Sequence, residues 1–163
     1  MADRKKAPRL QFLDTGLVNY RAGIQGDFFK YDDLHAFHQG RIAEHIVGQE
    51  LLAAGIQDHT PLKFWVKEKK QSSAEVDFVL PYRNLLVPME VKSGKTGTLR
   101  SLHQFIDQAE HAFAIRLYAG RLHVEKARTP EGKTFTLLNL PYFLTGLLTH
   151  YVQRLVEGVP SGT

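Results

Sequence analysis

Glu75-Val76-Asp77-Phe78-Val79-Leu80 and, past a turn at Pro81–Asn84, Leu85-Leu86-Val87-Pro88-Met89-Glu90-Val91 are the stretches whose reading decides the fold. Both alternate between apolar and other residues, the pattern of two strands joined by a short connection. Successive side chains of a strand point to opposite faces. Val76, Phe78 and Leu80 therefore share one face, leaving Glu75, Asp77 and Val79 on the other. In the second strand Val87, Met89 and Val91 share a face, and Pro88, Glu90 and the following Lys92 lie opposite. Asp77, Glu90 and Lys92 are thus expected together on one face of neighbouring strands. Two carboxylates and an ammonium at the ends of buried apolar runs cost desolvation unless a metal or mutual pairing compensates. A half-exposed sheet with ordinary salt bridges is the competing reading.

Outward from these strands, the pattern predicts a helix from Asp33 to Ala54 closed by Gly55, and before it a short helix capped by Asp14 and running to about Arg21. Phe64-Trp65-Val66 reads as a strand and Lys67 to Ser73 as a polar hairpin turn. Thr98 to about His111 reads as a second long helix, with Leu102, Phe105, Ile106 and Ala109 on one side. Strands are expected at Ala112–Tyr118, Leu122–Ala127 and Leu137–Leu140, and a closing helix from Tyr142 to Val156. Residues 1–10 are polar and basic and are expected to be disordered, residues 11–157 to form one domain, and 158–163 to fray. The order helix, three strands, helix, strand predicts an α/β fold, one mixed sheet with helices on both faces.

The long helix brings a third carboxylate. At 100° per residue Glu44 falls on the stripe of Phe37, Gly40, Val47, Gly48 and Leu51, which points it toward the sheet. Gly40 and Gly48 remove bulk one turn to either side, allowing close backbone packing. The alternative is that Glu44 sits at the edge of the stripe and reaches outward. With Asp77 and Glu90 it would supply oxygen ligands suited to Mg²⁺. Lys92 beside such a metal is placed to orient an attacking water and to stabilise developing negative charge.

Composition bounds these readings. The 163 residues suit a single domain, and the hydrophobic fraction of 43% is that of a globular protein. No apolar run is long enough for a membrane span, and no signal-peptide pattern opens the chain, so the cytosol is the expected compartment. With no cysteine there is no disulfide and no thiolate metal site. A net charge of +4 leans only weakly toward a polyanionic partner.

Glu44 on a helix, Asp77 on one strand and Glu90-Val91-Lys92 on the next resemble the signature of the PD-(D/E)XK nuclease superfamily, although Val76 stands where its proline would. More specifically, Phe12-Leu13-Asp14-Thr15-Gly16-Leu17, Gly40-Arg41 with Glu44, Glu50-Leu51, Ala74 to Leu80 and Glu90-Val91-Lys92-Ser93-Gly94 resemble a domain of unknown function, DUF4143. Ser101-Leu102 with Phe105, and Leu140-Pro141, extend the resemblance to most of the chain. That domain lies carboxy-terminal to the AAA-type ATPase module of predicted prokaryotic ATPases. The resemblance implies a restriction-endonuclease-like core with Glu44, Asp77, Glu90 and Lys92 as catalytic positions, and Glu44, Asp77 and Glu90 as ligands of Mg²⁺ or Mn²⁺. It also implies a parent carrying an ATPase module and a helical DNA-binding-like segment, so Met1-Ala2-Asp3-Arg4 is read as a truncated or artificial start. The chain holds no GxxxxGK[ST] loop and therefore no ATP site of its own.

Other residues carry weaker signals. His103 and Gln104 open the second long helix, which in the superfamily often lends a polar side chain to the substrate or metal shell. Lys67, Lys69 and Lys70 sit where they could touch a phosphate backbone, or simply solvate a turn. Phe64 and Trp65 suit a core better than a base-stacking platform. His35 and His38 are spaced for a metal but read more simply as surface residues. Two functions remain open: a Mg²⁺-dependent phosphodiesterase acting on DNA, and a non-catalytic accessory domain of the ATPase that binds DNA or a protein. Association of the chain with itself is compatible with either, and no membrane partner is expected.

Overall fold

The computed structural model describes residues 11–12, 14–21, 35–55, 61–69, 72–94 and 97–158. The expectations for residues 1–10, for the start of the long helix at Asp33, for Lys70 and for most of the tail lie outside them. So do the side chains of His35, His38 and Lys69.

Helix α1 spans Thr15–Arg21, and the Asp14 carboxylate accepts the N–H groups of Gly16 and, at 3.3 Å, Leu17, as an N-cap should. Helix α2 spans His35–Ala54 and ends as Gly55 donates its N–H to the Leu51 carbonyl at 3.1 Å. A ribbon follows: β1 (Trp65–Lys69) pairs antiparallel with β2 (Ser72–Val76). Lys67, Lys69, Ser72 and Ser73 are thus strand residues and not a turn, because each finds a ladder partner across the ribbon.

The chain then bends at Asp77 and re-enters as β3 (Phe78–Tyr82) and β4 (Leu85–Val91), an antiparallel hairpin closed at Arg83-Asn84, where Arg83 takes φ 53°. The expected single strand from Glu75 to Leu80 is therefore two strands serving two sheets. Helix α3 (Arg100–Gln108) crosses over to β5 (Phe113–Tyr118), and β6 (His123–Arg128) and β7 (Thr134–Pro141) complete a five-stranded sheet of order β3-β4-β5-β7-β6. Strands β4, β5 and β7 run parallel, while the outer pairs are antiparallel. Helix α3 is shorter than its periodicity suggests because Ala109 turns extended, and the Lys133 ammonium takes up the carbonyls of Ile106, at 2.8 Å, and Ala109. The expected closing helix opens as a 3-10 turn over Tyr142–Leu147 and becomes helix α4 at Leu148–Glu157.

Helices cover both faces of the sheet. On one, Ala43 and Val47 of α2 and Leu148 and Val152 of α4 meet Met89, Ile115 and Leu138 in the main core. On the other, Leu102 and Ile106 of α3 pack on Ala114, Phe135 and Leu137. Trp65 of the ribbon lies edge-on to Phe105, 5.5 Å between centroids, beside Val76 and Val79, so it is a packing residue. Among the described residues no helix is long and apolar enough to cross a membrane. On the same face as α3, Glu90, Arg116 and Asn139 stand in register on β4, β5 and β7. This row lies toward the carboxyl ends of the parallel strands, where open α/β sheets expose their loops.

Candidate active site at the carboxyl ends of the parallel strands

Glu90 is the centre of the site. It is among the few buried charged residues, 7% exposed, because it lies on the β4 face covered by α3. Lys92, two residues on, has the same facing and donates from Nζ to Glu90 Oε1 at 2.7 Å. The other carboxylate oxygen, Glu90 Oε2, is buried with no hydrogen-bond partner. An acceptor left unpaired away from water costs about 1–3 kcal/mol or more for a charged group, so it marks a place for a ligand or an ion.

Asp77 enters from the bend. The β3–β4 register pairs Phe78 with Met89, and continued by one residue it sets Asp77 opposite Glu90. Asp77 Oδ2 accepts the Val91 backbone N–H at 2.8 Å. The strand has turned away into the ribbon at this point, so the side chain replaces the carbonyl that a continuing ladder would have offered. The sharp break that the alternation pattern does not reveal is what delivers this carboxylate.

These neighbours set the charge state of Glu90. Burial first, then the charge of Asp77 and more weakly that of Glu44, push its carboxyl up to about 7 against the hydrogen bond and charge of Lys92. A carboxyl with this environment exchanges its proton near neutral pH and gains from any added cation.

Glu44 contributes from the α2 side. It is half-buried, flanking the stripe in which Ala43, Val47 and Gly48 are buried. Gly48 makes room for Gln11, not for the sheet: a Cβ there would meet Gln11 Oε1 at 2.7 Å, and Gln11 donates to the His45 carbonyl at 2.8 Å. Glu44 therefore stands beside the packed stripe, and its field still reaches Glu90. Among the described residues no three His, Asp or Glu side chains stand together as a ready-made metal cage.

The remaining candidates are placed differently. The His103 ring packs against Phe135, 5.7 Å between centroids, and its burial lowers its pKa. The Gln104 carbonyl accepts from Gln108 Nε2 at 2.7 Å, and the Gln104 side chain is half-buried on α3. Lys67 is half-buried in β1, opposite Ala74. Sequence reasoning missed Arg116 and Asn139, which lie beside Glu90 in the β4–β5–β7 register. Their apolar neighbours in the strand runs gave no sign of them; only the pairing of distant strands does.

A family model described as "Domain of unknown function (DUF4143)" matches residues 39–143, a span holding all four central site residues. Neither a search of curated proteins nor one of solved structures finds a match.

Proposed function

This chain belongs to the DUF4143 family of domains of unknown function, and we propose that it hydrolyses phosphodiester bonds of DNA with a divalent metal, in the manner of the PD-(D/E)XK nucleases its motif resembles. The observation that carries this reading is Glu90 Oε2: a buried, unpartnered carboxylate oxygen, in a group whose proton affinity is raised by burial and then by the charge of Asp77.

The residues fit a magnesium ion. Mg²⁺ keeps several waters and takes one or two protein carboxylates. Glu90 and Asp77 would hold it, and Glu44 would act on its hydration shell from α2. When bound, the metal would neutralise phosphate charge and acidify a water.

The chain's own residues supply the remainder. Lys92, held on Glu90 Oε1, places a cation where negative charge develops on the phosphate. Asp77 keeps its position through the Val91 N–H, so its carboxylate is oriented before substrate arrives. Gly97 lies against the Lys92 stem, and a Cβ there would meet Lys92 Cδ at 2.8 Å, so the loop before α3 confines the lysine.

The family resemblance also supports a parent in which an AAA-type ATPase module delivers the DNA. A non-catalytic accessory role for that ATPase is the second reading. It is favoured by the fact that the Lys92–Glu90 pair and the Asp77–Val91 bond are also what a purely structural cluster would form.

The deciding experiment is cleavage of supercoiled plasmid with Mg²⁺, Mn²⁺ or EDTA by the wild-type chain and Asp77→Asn. Metal-dependent nicking lost in the variant is expected. Equal background nicking in all conditions would leave the accessory role.

A further inference from the structure

Three buried side-chain atoms among the described residues have no hydrogen-bond partner: Glu90 Oε2, Arg116 Nε and Asn139 Oδ1. They are not scattered. Glu90 pairs with Arg116 across β4 and β5, and Arg116 pairs with Asn139 across β5 and β7. The three thus form one row on three adjacent strands, at spacings of about 5 Å. Buried polar atoms in native proteins are nearly always satisfied, so three orphans in a row mark a strip built for a ligand and its water.

The middle member sets the chemistry. The Arg116 guanidinium lies over the Tyr118 ring, 4.6 Å to the centroid, and makes no side-chain hydrogen bond or ion pair with the described residues. Tyr118 is itself anchored: it is 5% exposed, and its hydroxyl donates to the Arg121 carbonyl at 2.6 Å. Stacking fixes the plane of the guanidinium and leaves its forked donors for a planar or tetrahedral oxyanion. The neighbouring carboxylate does not serve, since Glu90 takes its cation from Lys92. A half-buried cation with no anion among the described residues gains from one that a ligand supplies.

The third member limits the ligand. Asn139 is fully buried, and its Nδ2 donates to His123 Nε2 at 3.0 Å and to Glu125 Oε1 at 2.8 Å. The His123 tautomer agrees, because Nδ1 donates to the Arg121 carbonyl at 3.0 Å and leaves Nε2 to accept. Asn139 Oδ1 can then only accept, so it suits a water beside a bound anion and not the anion itself.

We propose that Arg116, backed by Tyr118 and Asn139, is a binding subsite for a backbone phosphate of DNA next to the one at Glu90 and Lys92. This rests on the phosphodiesterase reading for the neighbouring site, but its own test needs no catalysis.

The test is fluorescence anisotropy of a labelled DNA duplex with the full 163-residue chain in EDTA, over a range of salt. Arg116→Gln is expected to weaken binding about tenfold and to lower the log–log salt slope by about one. Arg116→Lys keeps the charge without the fork and should fall between. Thermal melts check both folds, and if Arg116→Gln does not fold, Arg116→Lys carries the comparison. Unchanged affinity in the folded variants, or no binding by wild type, overturns the subsite. Calorimetric titration with inorganic phosphate separates the sources: Arg116-dependent phosphate binding without Arg116-dependent DNA binding overturns the backbone assignment. An uncut plasmid with Arg116-dependent binding would remove the nuclease reading and leave the subsite. Metal-dependent cutting with binding indifferent to Arg116 would do the reverse.

Discussion

Asp77 Oδ2 lies 2.8 Å from the backbone nitrogen of Val91 and closes the β3–β4 ladder that its own strand abandons. The residue therefore has a structural contact and a charge, and the two separate by mutation. Asp77→Asn keeps an acceptor for Val91 N–H and removes the charge that presses on Glu90. Urea denaturation should show it equal to or slightly more stable than wild type. Asp77→Ala strands the N–H and should cost about 1–3 kcal/mol. A loss of that size in Asp77→Asn would make the charge itself structural.

Glu90 gives the fold a pH dependence of known sign. Its carboxyl titrates near 4.5 when unperturbed and at about 7 in the fold. Between those values the folded chain holds a proton that the unfolded chain has released. Stability from this group is thus present at low pH and is lost as pH rises through that window, by on the order of 3 kcal/mol. Glu90→Gln should remove this slope and melt higher than wild type at pH 8. Melting curves from pH 4 to 8 for both chains would measure it, and parallel profiles would contradict the assignment.

On the proposed metal-dependent reading, the same proton would compete with the metal. Mg²⁺ should raise the melting temperature little at pH 6 and more at pH 8, where Glu90 is ionised. Lys92 lowers the Glu90 pKa, so Lys92→Ala should shift this metal-induced rise to higher pH as well as reduce turnover. On the phosphodiesterase reading, Lys92 would then serve metal binding as well as the transition state. A Lys92→Ala profile superimposing on wild type would separate it from metal binding altogether.

Gly97 has φ +156° and a Cβ position 2.8 Å from Lys92 Cδ. Gly97→Ala should cost about 1–3 kcal/mol in backbone strain and displace the lysine stem. Expected is a folded chain with a lower melting temperature and cleavage reduced toward that of Lys92→Ala. Wild-type turnover in this variant would show that the loop does not position Lys92.

The alternation of Leu85–Val91 was enough to put Glu90 and Lys92 on one face, because strand side chains have a period of two whatever the surroundings. The Asp14 cap, the end of α2 at Gly55 and the short turn before β4 were likewise legible, each being local backbone chemistry. Glu44 was legible as a carboxylate beside an apolar stripe, but not its distance from the strand carboxylates, which depends on how α2 seats against the sheet.

What the sequence by itself determined is the faces of unbroken elements such as β4, while the expected shared face of Val76 and Phe78 is split between two cores. Only the tertiary structure decided which of those faces meet. The bend at Asp77 appears because Val76 packs with Trp65 of the ribbon and Phe105 of α3 while Phe78 joins the main core, a division invisible in an unbroken alternating run. The row Glu90, Arg116, Asn139 exists because β4, β5 and β7 pair in one register, though they are separated in sequence by a helix and a hairpin. Register between distant strands is chosen by the apolar side chains that fill the two cores, and a slip of one residue would send every polar group of the row to the other face.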